Sequence, residues 1–181
     1  MNSGDDRFER AFEGCAAPVM AFALRRVGSR EDAEDVVGET FAVAWRRRGE
    51  IPDPPLPWLY AVAANVVNNS RRSSRRLGRL RARLASQPPS HAGDHADDIA
   101  ANDAFATAFA KLSDAQREIL RLVAWEGLGP REGAVALECS ETAFKVRLHR
   151  ARRELEKRLL QAGHVEGEMP EPNLTSDAGA Q

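Results

Sequence analysis

The 181-residue chain holds two cysteines and four histidines, and each scarcity closes off a class of function. Cys15 and Cys139 stand far apart, with no Cys or His at ligand spacing beside either. This argues against a disulfide scaffold or a zinc site and leaves two buried free thiols as the expectation. His91 and His95 lie four apart in a Pro/Ser/Gly/Asp stretch without helical pattern, and read as solvated. Neither a metal site nor a cofactor is expected. No apolar run approaches the ~20 residues that cross a bilayer, and no charged, apolar, small-residue signal opens the chain. The expectation is a cytoplasmic protein without membrane contact. A phosphate-cradling glycine loop, a metal-spaced ligand cluster and a nucleophile–base constellation are also lacking. No catalytic residue is assigned, and the chain is not expected to be an enzyme.

Net charge is scarce as well. At −1 it provides no global field towards polyanions, so any nucleic-acid affinity has to be local. Locally, charge is sorted: seven arginines and no acid lie between Arg71 and Arg83, whereas Asp and Glu alone carry charge beyond Gln161.

What the chain has in abundance is helical periodicity. Phe8, Phe12, Cys15, Val19, Ala23 and Val27 form one apolar stripe, and Ala33, Val36, Val37, Phe41, Ala44 and Trp45 a second. After the break at "EIPDPPLP", Pro57 suits the start of a third helix that buries Leu59, Val62, Ala63 and Val66. Nothing alternates convincingly at period two, which predicts an all-α fold. "SQPPSHAGDHADD" has linker composition. Beyond it, Ser113 and Gln116 form a capping-box pattern opening a helix through Ile119, Leu120, Leu122 and Val123. "EGLGP" ends that helix, a short one follows over 130–137, and a turn at Glu138–Ser140 leads into a last helix that Ser140 can cap. The predicted organisation is a helical domain over 5–85, a flexible linker over 86–98, a second helical domain over 99–160 and a disordered tail over 161–181.

Two short helices joined by a tight turn are the helix-turn-helix arrangement, whose second helix enters the major groove. In "ECSETAFKVRLHRARREL" the stripe Phe144, Leu148, Ala151, Leu155 and Leu159 faces a core. Thr142, Val146 and Arg153 point the other way, flanked by Lys145, His149 and Arg150. Short groups come first, where the groove is closest, and cations follow where phosphates lie. A merely solvated amphipathic helix is the bland alternative. Gly133 is a weak point within the short helix, costing roughly 1 kcal/mol against alanine.

In the first domain, Asn65, Asn69, Arg72 and Arg76 fall at spacings of four, three and four, after Trp58 and Tyr60. Amides and aromatics beside arginines suit bases taken out of the stack; a soluble helix with a buried Trp is the alternative. Asp32, Asp35 and Glu39 form an acidic face suited to a basic protein partner. Dipole complementation accounts for Glu31 and Asp32 but poorly for Glu39.

These stretches together, "DAEDVVGETFAVAW", "PWLYAVAANVV", "LSDAQREILRLVAWEGL" and "CSETAFKVRLHRARREL", resemble the extracytoplasmic-function (ECF) sigma factors of the bacterial sigma-70 family, over roughly residues 8–160. The resemblance implies two helical domains, region 2 and region 4, on a tether, and a role directing RNA polymerase to promoters. It implies core RNA polymerase and promoter DNA as partners, with room for an anti-sigma protein. It assigns Asp35, Gly38 and Glu39 to the polymerase-facing surface, with Gly38 where the family commonly has Gln. It assigns Trp58, Asn65, Asn69, Arg72 and Arg76 to −10 recognition and melting. Thr142, Lys145, Val146, His149, Arg150 and Arg153 fall to −35 recognition. The alternative from the residues themselves is a stand-alone helix-turn-helix regulator with a sensing or oligomerising first domain.

Overall fold

Seven helices account for the regular structure of residues 3–85 and 103–165, which the computed structural model describes. They are α1 (Ser3–Leu24), α2 (Arg30–Arg46), α3 (Leu56–Ala85), α4 (Asp103–Ala110), α5 (Asp114–Ala124), α6 (Pro130–Ala136) and α7 (Glu141–Val165). Among the described residues there is no strand, as periodicity predicts. The expected linker, with His91 and His95, lies outside the described residues. Helix α7 carries through 161–165, residues expected in the tail.

Helices α1, α2 and α3 pack on one another around Cys15, Val19, Phe22, Ala33, Val36, Leu59, Ala63 and Val66. Helices α4 to α6 pack around α7 through Leu112, Ile119, Leu120, Ala134, Phe144, Leu148 and Ala151. Local signals set the helix boundaries. Ser29 caps α2 by accepting from the Asp32 amide at 3.0 Å. Ser113 and Gln116 close the expected capping box on α5, which satisfies two amides that the helix start leaves orphaned. Gly127, at φ +66, takes the left-handed turn after α5, and Leu128 then returns to bond the Leu122 carbonyl at 3.0 Å and bury its side chain. Ser140 accepts from the Ala143 amide at 3.1 Å, capping α7 as its position predicts.

Gly133 is where propensity and packing disagree, and packing wins. A Cβ built there would stand 2.2 Å from Cζ of Phe144. The glycine lets α6 lie directly on a fully buried ring, and the loss in helix propensity is absorbed by that contact.

Three features differ from the sequence expectation. Phe12 and Trp45, counted in core stripes, are 46% and 47% exposed. They lie at the seam of α1 and α2, where rings cover one another: Phe8 meets Trp45 edge-on at 5.0 Å, and Phe12 meets Phe41 at 4.9 Å. Helix α4 carries no strong end signal, and the sequence pattern does not mark it. Cys15 is buried as expected, but Cys139 is only half-buried at the α6–α7 turn; both are free.

The two bundles also touch. Helix α3 packs against α6, and Leu122, Leu128 and Ala136 join the apolar cluster of the first bundle. Beside this contact, Arg25 and Arg26 at the end of α1 form ion pairs with Glu118 and Glu126. A two-domain chain on a tether does not by itself predict such a joint.

Candidate nucleic-acid interface

Helix α3 divides into two faces. Leu59, Val62, Ala63, Val66 and Val67 are buried, while Asn65, Asn69, Arg72 and Arg76 are exposed. Asn65 sits between buried valines, yet its amide faces outward. No buried partner claims it, and the four residues make one polar-to-cationic strip on the outer surface. Trp58 at the head of the helix is half-buried, with the Arg47 guanidinium 5.5 Å from its ring centroid. The described arginines of the basic block do not all face outward. Arg71 is half-buried and donates from Nη2 to the Arg26 carbonyl at 2.7 Å, tying α3 to the end of α1. Charge counting alone had no means of separating it from Arg72.

On α7, Phe144, Leu148 and Ala151 are buried and Thr142, Lys145, Val146, His149, Arg150 and Arg153 are exposed. The reading face predicted by the helical wheel is therefore the face left free by the core. His149, Arg150, Arg153 and Lys157 line a shallow groove with Gln116 of α5, which Glu154 and Glu156 also border. Lys145 bonds Glu141 one turn earlier, Nζ to Oε1 at 2.6 Å. That hydrogen bond, then the lysine charge, holds the Glu141 carboxyl below its usual range. Lys145 is thus oriented along the helix edge, and contact with a base requires it to leave Glu141. Arg153 lies 3.8 Å from Glu156, a looser and largely solvated pair.

The α2 surface separates its acids by task. Asp32 accepts from the Ser29 hydroxyl at 2.7 Å and Glu34 from Arg30 at 2.9 Å, so both serve the helix start. Asp35 and Glu39 are exposed on the next turns with Gly38 between them, where an added Cβ would meet nothing within 4 Å. A side chain is sterically welcome at Gly38; the glycine leaves a shallow gap in an acidic surface.

Among the described residues there is no group of His, Cys, Asp or Glu side chains able to hold a metal ion. No described helix is long and apolar enough to cross a membrane.

Comparison with known proteins gives these surfaces a context. Residues 11–77 match the Sigma-70 region 2 family, and residues 102–155 match Sigma-70, region 4. The ECF RNA polymerase sigma factor SigL of Mycobacterium tuberculosis (strain Erdman) is 32% identical over 152 residues, spanning 82% of this chain and 86% of that protein. The fold is similar to that of the sigma factor RpoE from Bartonella quintana, solved in complex with the anti-sigma factor NepR. That match has a TM-score of 0.58 and 24% identity, covering 85% of this chain and 96% of the other. It is also similar to CnrH in complex with the cytosolic domain of CnrY, with a TM-score of 0.55, 23% identity, and coverage of 90% and 89%.

Proposed function

Because this chain belongs to the ECF sigma factors of the sigma-70 family, and so directs core RNA polymerase to promoters, we propose which of its surfaces carry each contact. The Asn65–Asn69–Arg72–Arg76 strip, with Trp58, engages the −10 element and its unpaired strand. The outer face of α7, from Thr142 to Arg153, enters the major groove at the −35 element. Asp35, Gly38 and Glu39 face core polymerase. The observation that carries this assignment is the strip on α3. Amides and guanidiniums occupy the outward face of a helix whose other face is core, the arrangement that hydrogen-bonds base edges and tracks a backbone.

A stand-alone regulator has no use for that strip, and the two readings differ in a binding experiment. The free chain is expected to bind promoter duplex weakly and to become sequence-specific only with core polymerase, which supplies spacing and effective concentration. Footprinting with and without core polymerase measures this. Nanomolar, sequence-specific binding by the chain alone at physiological salt would favour the regulator.

The cations of α7 are expected to divide by role. Arg150→Ala and Lys145→Ala should change the ranking of −35 variants, by about 1–3 kcal/mol at a base each contacts well. The Lys145 effect should be the smaller, since Glu141 competes for the ammonium. Arg153→Ala should weaken every variant alike and flatten the dependence of holoenzyme binding on salt, as loss of a phosphate contact does. Uniform effects at all three positions would mean the reading face is misassigned.

A further inference from the structure

Helix α7 outlasts the surface assigned to DNA. Its 25 residues run for about 37 Å, of which Thr142 to Arg153 occupies only about 17 Å. Beyond Arg153 the basic outward face does not stop. Arg150, Arg153, Lys157 and Leu160 follow one another at intervals of three, four and three, and all line one shallow groove with Gln116 of α5. Two acids border this groove, but Glu154 already accepts from Nε of Arg158 at 2.7 Å. Glu156 lies 3.8 Å from Arg153 in a loose pair. Among the described residues, no carboxylate pairs with Arg150 or Lys157. Leu160, at the far end, is 62% exposed. The groove therefore fits an extended segment that brings several acids and one or two apolar side chains.

The chain itself supplies such a segment. Residues 166–181 follow α7 and lie outside the described residues. Their charged residues are Glu166, Glu168, Glu171 and Asp177, with no cation among them, and Met169 and Leu174 are their larger apolar ones. Length and spacing let them lie back along the helix. Glu168, three residues past Val165, reaches about 10 Å in an extended chain. Lys157 stands about 12 Å before Val165 on the helix, a distance that two long side chains close. Glu168 and Glu171 are about 10 Å apart in an extended chain, and Lys157 and Arg150 are about 10 Å apart on a helix. Gly167 permits the reversal, while Pro170 and Pro172 disfavour helical backbone at Met169 and Glu171. So short a connection makes the effective concentration of the segment at the groove high.

We propose that residues 166–181 dock in the groove of α5 and α7, with Glu168 on Lys157 and Glu171 on Arg150, and so compete with duplex DNA for the outer face of α7. The competition, though not the docking, rests on the −35 role proposed above. Exposed ion pairs are individually weak and screened by salt, so the tail is a ligand that DNA displaces. It lowers the affinity for duplex by the fraction of chains whose groove is empty.

The test compares the full chain with a tail variant, Glu166→Gln, Glu168→Gln, Glu171→Gln and Asp177→Asn, with far-UV circular dichroism checking helix content. At low salt, the backbone amide resonances of Arg150, Arg153 and Lys157 should differ between the two proteins and converge as salt is raised. Lys157→Gln, which removes a groove cation outside the proposed −35 residues, should shrink that difference by about half or more. Neutralising acids also raises net charge, so a control carries Glu9→Gln, Glu13→Gln, Glu31→Gln and Asp53→Asn, four exposed acids of the first bundle. Binding to a labelled duplex oligonucleotide should tighten about threefold more in the tail variant than in this control, if about two wild-type chains in three hold the tail docked. Identical groove resonances in wild type and tail variant would overturn the docking. Differences that grow with protein concentration would place the tail of a second copy in the groove, and would overturn docking within one chain. Groove differences without the excess tightening would overturn the competition. Arg153→Ala in the same assay then locates the fault. If it also leaves duplex binding unchanged, the −35 reading fails and the docking stands; if it weakens binding, the competition alone fails.

Discussion

Gly133→Ala is expected to destabilise the second bundle by about 3 kcal/mol, at the upper end of the usual cost of overpacking, although alanine is the better helix former. Propensity alone favours the substitution by roughly 1 kcal/mol. Against this, the new Cβ would fall 2.2 and 2.3 Å from two carbons of the Phe144 ring. That ring is fully buried and packs with Leu112, Ile119, Leu120, Leu148 and Ala151. It cannot swing aside without displacing them, so α6 must lift from α7 and disturb the angle at which α7 is presented. Urea unfolding of the full chain measures the loss. Phe144→Leu in the alanine background should recover part of it, because a smaller, branched side chain leaves room for the methyl. A Gly133→Ala chain as stable as wild type would show that the ring yields cheaply, and the account of this glycine would fall.

Asn65→Ala separates reading from folding. The amide is exposed while Val62, Val66 and Val67 around it are buried, so stability should change by no more than about 0.5 kcal/mol, as at other surface sites. Binding to core polymerase should also persist, since the acidic α2 face is untouched. Open-complex formation should fall by about tenfold, equivalent to ~1.4 kcal/mol of lost interaction with the promoter. A template melted beforehand over the −10 region distinguishes two causes. Recovery on that template means that Asn65 helps open the duplex; persistence of the defect means that it hydrogen-bonds an unpaired base. Full activity on intact promoters would remove Asn65 from the interface altogether.

Much of this was legible in the sequence because it is local. The capping box at Ser113–Gln116, the turn before Ser140 and the buried stripe of Phe144, Leu148 and Ala151 each need only neighbours within a helical turn or two. The outward face of α7 follows from the stripe by subtraction. Burial at the edge of a stripe is harder, since periodicity fixes a direction but says nothing of whether another helix lies there. Phe12 and Trp45 stay half in water for this reason, whereas Phe22, beside the stripe rather than in it, is buried at the centre of the first bundle. The ion-paired joint between the bundles was illegible for a different reason. Arg25 and Arg26 read as an ordinary charged helix end, and the partners of Arg26 lie 92 and 100 residues away. Nothing in a linear pattern marks an arginine for burial; only the fold brings the carboxylates to it.

Domains on a tether are usually interchangeable parts, and a chimera that takes region 2 from one relative and region 4 from another is a natural way to recombine promoter preferences. In this chain the end of α1 and the α5 turn are written for each other. A grafted region 4 lacking acids at the places of Glu118 and Glu126 would leave two arginines to be either buried bare or kept apart in water. Such a hybrid would inherit the DNA preferences of its donors but not the contact between their bundles. The same matching ties the two ends of the gene together under mutation. A change at Arg26 strands the Glu118 and Glu126 carboxylates together, so the fold is more modular than this pairing of side chains.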